Sequence, residues 1–180
     1  LKGFSTVDID NEEDFILAEA VLNAKREKIL EPKYFGSEDK EIEDSNRERI
    51  LLDDGVTKNF FDEQNNEIQQ IDDIIKKRSS NISWSQTLIN SPSTCATLIA
   101  QMPGEGNRMH YHYNWDEWWY IVQGNWEWLV DGVAKKVQKG DVVFIKRNRK
   151  HKITAVGNSM AIRLAVSRAD VDHVYDKENF

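Results

Sequence analysis

The sequence predicts a mainly β domain, an all-β sandwich or small barrel, preceded by a helical stretch. Three observations carry this. From about residue 81, short β-rich runs alternate with turns at near-regular spacing, the pattern of a sandwich or barrel. Asp131-Gly132 sits between two of these runs, a strong hairpin signal. Before residue 80, apolar residues instead recur at helical spacing.

The helical part is read first. Asp10 or Asn11 can cap a helix whose first turn carries Glu12, Glu13 and Asp14, acids that suit the positive end of the helix dipole. Phe15, Ala18, Leu22 and Ile29 continue the period up to Pro32. Residues 36–45 are charged and aperiodic, so they read as a loop. Ser45 then caps a short helix with Ile50, Leu51 and Leu52, ended by Gly55. A third helix is expected from Phe60 to Arg78. Its stripe of Ile68, Ile71, Ile74 and Ile75 either packs on the rest of the chain or forms a dimer contact.

The β runs are expected at 82–88, 94–102, 110–113, 117–123, 125–130, 133–138, 141–145, 151–156 and 160–167. The expected organisation is a helical extension over 1–80, a β domain over 81–170 and a loosely packed tail over 171–180.

Composition narrows the function classes. The chain has 180 residues and a formal charge of −7, enough length for one core without disulfides. The acidity argues against a nucleic-acid partner, which needs a basic face. The charge is uneven: residues 1–80 hold 12 basic and 21 acidic residues, and residues 81–180 hold 12 and 10. All four His and all six Trp lie in the second part, so the chemistry is expected there. Cys95 is the single cysteine, which excludes a disulfide framework or a multi-Cys zinc site and fits a cytoplasmic location. No apolar run of about 18 residues suggests a membrane span, and the first eleven residues carry acids where a signal peptide needs basic residues.

His110 and His112 are two apart, so in a strand both imidazoles face the same way. Glu117 opens the next run and His151 opens a later one. Three imidazoles and a carboxylate suit one divalent transition ion: Fe, Mn, Zn or Ni. The stretch from Gly104 to Gly124 resembles the first motif of the cupin superfamily, G(X)5HXH(X)4E(X)6G, with every fixed position present. The second motif, G(X)5PXG(X)2H(X)3N, keeps Gly140 and His151. Lys146, Asn148 and Ala155 replace its Pro, Gly and Asn. The resemblance covers about residues 94–168. It implies a cupin double-stranded β-helix, or jelly roll, to which the helical N-terminal extension read above, outside the resemblance, is added. It also implies His110, His112, Glu117 and His151 as metal ligands, and a homodimer.

Around that centre the candidates for substrate binding are Arg108, Trp119, Arg147, Arg149 and Arg163. Trp119 shares the face of Glu117. Arg147 and Arg149 belong to a cationic loop that either captures an anion or is merely solvated. Arg163 faces solvent or occupies a pocket opened by Ala161 and Ala165. Tyr120 and Tyr111 are candidates for moving a proton. Trp126 and Trp128 read as core, Cys95 as buried and inert, and His173 as a surface or tail residue. These residues predict a metal-dependent enzyme acting on a small, anionic substrate, with sugar-phosphate isomerisation or epimerisation favoured. An Fe(II)-dependent dioxygenase and a non-catalytic ligand- or metal-sensing module are the alternatives.

Overall fold

The computed structural model describes residues 41–168 and 171–176. The helix expected from Asp10 to Pro32 lies outside them. The chain forms β1 (Glu41–Asp44), α1 (Arg47–Asp53), β2 (Lys58–Phe60), α2 (Ile71–Lys77), β3 (Trp84–Asn90), β4 (Cys95–Gln101) and β5 (His110–Tyr111). β6 (Glu117–Gln123), β7 (Asn125–Val130), β8 (Val133–Gln138), β9 (Val142–Ile145), β10 (His151–Val156), β11 (Ala161–Ser167) and β12 (His173–Asp176) follow. The strands form two six-stranded sheets, ordered β1-β12-β5-β10-β7-β8 and β2-β3-β4-β11-β6-β9. All pairings are antiparallel except β2 with β3. This two-sheet architecture is the expected jelly roll. No described helix is long and apolar enough to cross a membrane.

The core lies between the sheets. Trp119, Ile121, Trp126, Trp128, Ile153, Ala155 and Ala161 are buried there together. Large residues oppose small ones across strands: Trp126 pairs with Ala155 in register, which leaves the indole room at native packing density. Trp126 and Trp128 are core, as expected, both fully buried.

Asn46, not Ser45, caps α1: its side chain accepts from the Arg49 N–H at 3.0 Å. Gly55 ends the turn at φ +90°, a conformation that favours glycine. Residues 41–44 form a strand rather than a loop, paired from Glu41↔Asp176 to Asp44↔His173. The expected long third helix shrinks to α2. The preceding chain turns at Glu63 and Asn65, both at φ 60°, and Asn65 exchanges two hydrogen bonds with the Asn90 backbone. Ile68 is therefore 82% exposed and off the stripe. Ile74 is buried, and Ile71 and Ile75 pack with it against Trp84, Leu98 and Ile162 on the outer face of the second sheet. That packing is the first of the two outcomes the stripe allowed. Residues 173–176 are not a loose tail: β12 lies between β1 and β5.

Candidate metal centre and its cavity

Sheet register brings the histidines together. His110 in β5 stands directly opposite His151 in β10. His112 leaves β5 on the face of His110, with ring centroids 4.9 Å apart. Glu117 approaches from the facing sheet as the first residue of β6. All four are buried, with one ligand atom from each within 4.8 Å of the others.

The three imidazoles are oriented from behind. His110 Nδ1 donates to the Arg108 carbonyl at 2.8 Å, His112 Nδ1 to that of Asp172 at 2.7 Å, and His151 Nδ1 to that of Arg149 at 3.0 Å. A carbonyl can only accept, so each Nδ1 carries the proton and each Nε2 is turned inward, the arrangement that orients metal-binding histidines. The Nε2 atoms of His110 and His151 are buried without a partner, a costly state unless something binds there. His112 Nε2 lies 2.8 Å from Glu117 Oε2, and His151 Nε2 lies 3.8 Å from the same oxygen.

Electrostatics agrees. Burial, with the neighbouring imidazoles, pushes the pKa of His110 well below its ordinary value. Burial acts against ionisation of Glu117, but His112 and His151 overcome it and hold the carboxyl below the usual range. Burial likewise opposes protonation of His112, which Glu117 nonetheless raises. Neutral imidazole and ionised carboxylate are the ligand forms; His110 and Glu117 are held in them, whereas Glu117 draws His112 toward the protonated form, a proton that an ion would displace. The donor set fits a divalent transition ion, and these four residues could hold one.

The second motif's departures are accommodated. Asn148, in the glycine position, adopts φ 65°, which Asn tolerates better than most residues. Its N–H donates to the His112 carbonyl at 2.7 Å.

A cavity of about 70 Å3 adjoins the cluster. Its lining includes His110, Glu117, Trp119, Arg163 and His173, with Arg47, Ile50, Leu51 and Asp54 contributed by α1 and its cap. Arg163 points inward, on the side of Ala161 and Ala165, and is 2% exposed. Its Nη1 donates to Gln101 Oε1 at 2.5 Å, its guanidinium lies 4.5 Å from the centre of the Trp126 ring, and its Nε has no partner. Among the described residues no carboxylate lies within ion-pair distance of Arg163. Burial lowers its pKa to about 10. Asp54 accepts from the Arg108 N–H and Nε on one oxygen, Oδ1, at 3.2 and 3.3 Å. Burial raises its pKa to about 6 against the pull of Arg108.

The remaining candidates divide between the cavity and the surface. Trp119 lines the cavity and packs edge-on against Trp128 and His151. Arg108 ties α1 to the loop before His110 through Asp53 and Asp54, and lies over the Tyr175 ring. Arg147 and Arg149 are exposed and do not line the cavity. Arg149 pairs with Asp131 at 2.7 Å. Tyr120 lies half-exposed on the face of β6 opposite Glu117. Tyr111 donates to the Tyr113 hydroxyl at 2.8 Å, on the strand face opposite His110. Neither tyrosine reaches the cavity. Cys95 is buried and contacts the Arg47 guanidinium.

Sequence reasoning missed two contributors. His173 is not a surface residue: its ring stacks on His110 at 4.6 Å and meets His112 edge-on at 4.7 Å. Asp54 escaped notice as one acid among many in an acidic segment.

Residues 97–167 match the family model described as the cupin domain. An uncharacterized protein of Methanocaldococcus jannaschii is 34% identical over 55 residues, 31% of this chain. The match spans 44% of that relative's length. Among solved structures, an uncharacterized conserved protein with a double-stranded β-helix domain from Klebsiella pneumoniae superposes with a TM-score of 0.53. It is 18% identical, over 64% of this chain and 94% of that one. A protein from Bacillus halodurans gives 0.51 and 14%, over 60% and 85%. At these identities the likeness is one of fold.

Proposed function

Residues 97–167 place this chain in the cupin superfamily, and from that premise we propose that it is a metal-dependent enzyme acting on a short carboxylic acid. The observation that carries the reading is Arg163, a buried guanidinium with an unpartnered Nε beside the His110–His112–Glu117–His151 cluster. The Asp54 and Glu117 carboxylates act on it electrostatically but form no ion pair with it, and a buried charge without a direct partner is costly. An anion entering the cavity would supply that partner, with charge-assisted hydrogen bonds.

Size sets the substrate class. About 70 Å3 has room for about five water-sized groups, which matches an acid of two or three carbons. A short acid is therefore taken ahead of a sugar phosphate, which stays the alternative substrate within the same isomerase reading.

The residues divide the work. His110, His112, Glu117 and His151 would hold the ion, which when bound supplies Lewis-acid polarisation of a carbonyl oxygen. Arg163 grips the carboxylate and thereby orients the carbon beside it. Trp119, with Ile50 and Leu51 of α1, excludes water from the cavity. Asp54 Oδ2 takes and returns the proton: both Arg108 bonds fall on Oδ1, and a pKa near 6 suits a base working near neutral pH.

The test is metal reconstitution followed by an NMR screen of two- and three-carbon hydroxy and keto acids. One ion per chain is expected, with turnover that stops when the ion is chelated. Failure to bind an ion, or turnover that survives its removal, overturns the reading.

A further inference from the structure

The cavity contains a fourth imidazole that the metal cluster does not use. His173 sits in β12, two residues before Tyr175, which pairs with His110 in register. Alternation along the strand puts the His173 and Tyr175 side chains on the face of His110. The His173 ring lies nearly parallel to that of His110, at 24°, and nearly perpendicular to that of His112, at 85°. It lines the cavity together with Glu117 and Arg163. It does not join the four residues whose ligand atoms converge within 4.8 Å. Its Nδ1 is buried and has no hydrogen-bond partner.

Those facts exclude the ordinary explanations for a histidine here. A core histidine satisfies its buried nitrogens, and this one leaves Nδ1 unpaired. A metal-binding histidine has its distal nitrogen held by a carbonyl or carboxylate, as the other three do and His173 does not. What remains is a donor waiting for a group that enters the cavity.

We propose that His173 is a positioning residue whose Nδ1–H donates a hydrogen bond to the anion bound beside the metal ion. In this arrangement the anion is held from two elements. Arg163 reaches it from β11 and His173 from β12, so one strand of each sheet grips it. Stacking on His110 fixes the ring plane, so the donor is aimed before the anion arrives and little ordering is left to pay on binding.

The inference rests on the metal-dependent reading, and the test separates the two. Wild type, His173→Ala and His173→Asn are loaded with Co(II). Cobalt content is measured by elemental analysis, folding by the thermal unfolding midpoint, and azide affinity by the change in the visible cobalt bands. The side-chain amide of Asn places a donor near the position of Nδ1.

Wild type and both variants are expected to hold about one cobalt per chain. Azide is expected to bind at least ten-fold more weakly to His173→Ala, the usual loss for one hydrogen bond to a charged group, with most of the affinity restored in His173→Asn. Equal azide affinity in wild type and His173→Ala overturns the proposal. So does loss of cobalt from His173→Ala, which would make the residue a ligand or part of the scaffold. Wild type that holds cobalt but does not perturb its bands with azide also overturns it. Wild type that takes up no cobalt overturns the metal-dependent reading itself.

Discussion

Replacing Arg163 with Met separates a residue kept for binding from one kept for folding. The guanidinium is fully buried and its pKa stands at about 10 against an ordinary 12.5. The folded value is the lower one, so below pH 10 the group stays charged in the folded chain and carries a cost relative to the unfolded one. At 1.36 kcal/mol per pKa unit that cost is about 3 kcal/mol. Met removes it and fills a similar slot between Ala161, Ala165 and Trp126. Two losses oppose the gain. Gln101 Oε1 is left without its donor, at about 1–3 kcal/mol. The contact with the Trp126 ring gives up about 1 kcal/mol more. The sums nearly cancel, so stability should change by less than about 2 kcal/mol, against the 2–5 kcal/mol usual for truncating a large core side chain. Urea unfolding of the metal-free protein reads the stability. Azide or acetate titration of the cobalt-loaded protein reads the site and should show at least a ten-fold weaker affinity. A variant that loses more than about 3 kcal/mol yet binds the anion normally would show that Arg163 serves the core, and would remove the main support for an anionic substrate.

Three further outcomes follow from the geometry. Glu117→Ala and His151→Ala should each lower metal affinity by a hundred-fold or more by equilibrium dialysis, whereas Arg149→Ala, on the surface, should leave it unchanged. Burial raises the Asp54 pKa to about 6 from 3.8, so its contribution to stability is fully present below about pH 4 and is lost as pH rises through 6. Asp54→Asn should flatten that decline by about 3 kcal/mol, seen as a difference between the two urea-unfolding pH profiles, and should abolish turnover. A Cβ added at Gly106 would lie 1.8 Å from the Ile153 carbonyl oxygen and 2.9 Å from Thr154 Cα. Gly106→Ala should therefore cost at least about 3 kcal/mol and displace the loop that delivers His110. Gly132→Ala, with nothing nearby, should cost only the roughly 1–2 kcal/mol of its left-handed backbone; thermal unfolding compares them.

Legibility in the sequence tracked how local the determining physics is. The strands from Trp84 to Ser167 were readable within a residue or two because alternation and turn residues are local signals. His110, His112, Glu117 and His151 were readable because strand alternation and a spaced motif report which side chains share a face. β1 was not, because Glu41–Asp44 offers a single apolar residue and owes its strand conformation to β12, some 130 residues away. The length of α2 was misjudged because Ile68 keeps the helical period, while the turn that removes it depends on Asn65 meeting Asn90. Gly106, tighter than either motif glycine before the histidines, sits at a variable motif position. His173 carries no local signal: what makes it part of the site is the pairing of its strand with β5. The cationic loop misled in the opposite direction, since a run of like charges marks a surface as readily as a binding site.

The position of β12 bears on when the site can exist during synthesis. Until residues 173–176 leave the ribosome, the short strand carrying His110 is bonded on one side only, and His112 has no Asp172 carbonyl to orient it. A nascent chain that has already folded both sheets through β11 would therefore hold a half-built, open-edged cluster. Metal uptake should therefore follow the docking of β12 rather than precede it, which leaves a chain without that strand a poor competitor for scarce ions.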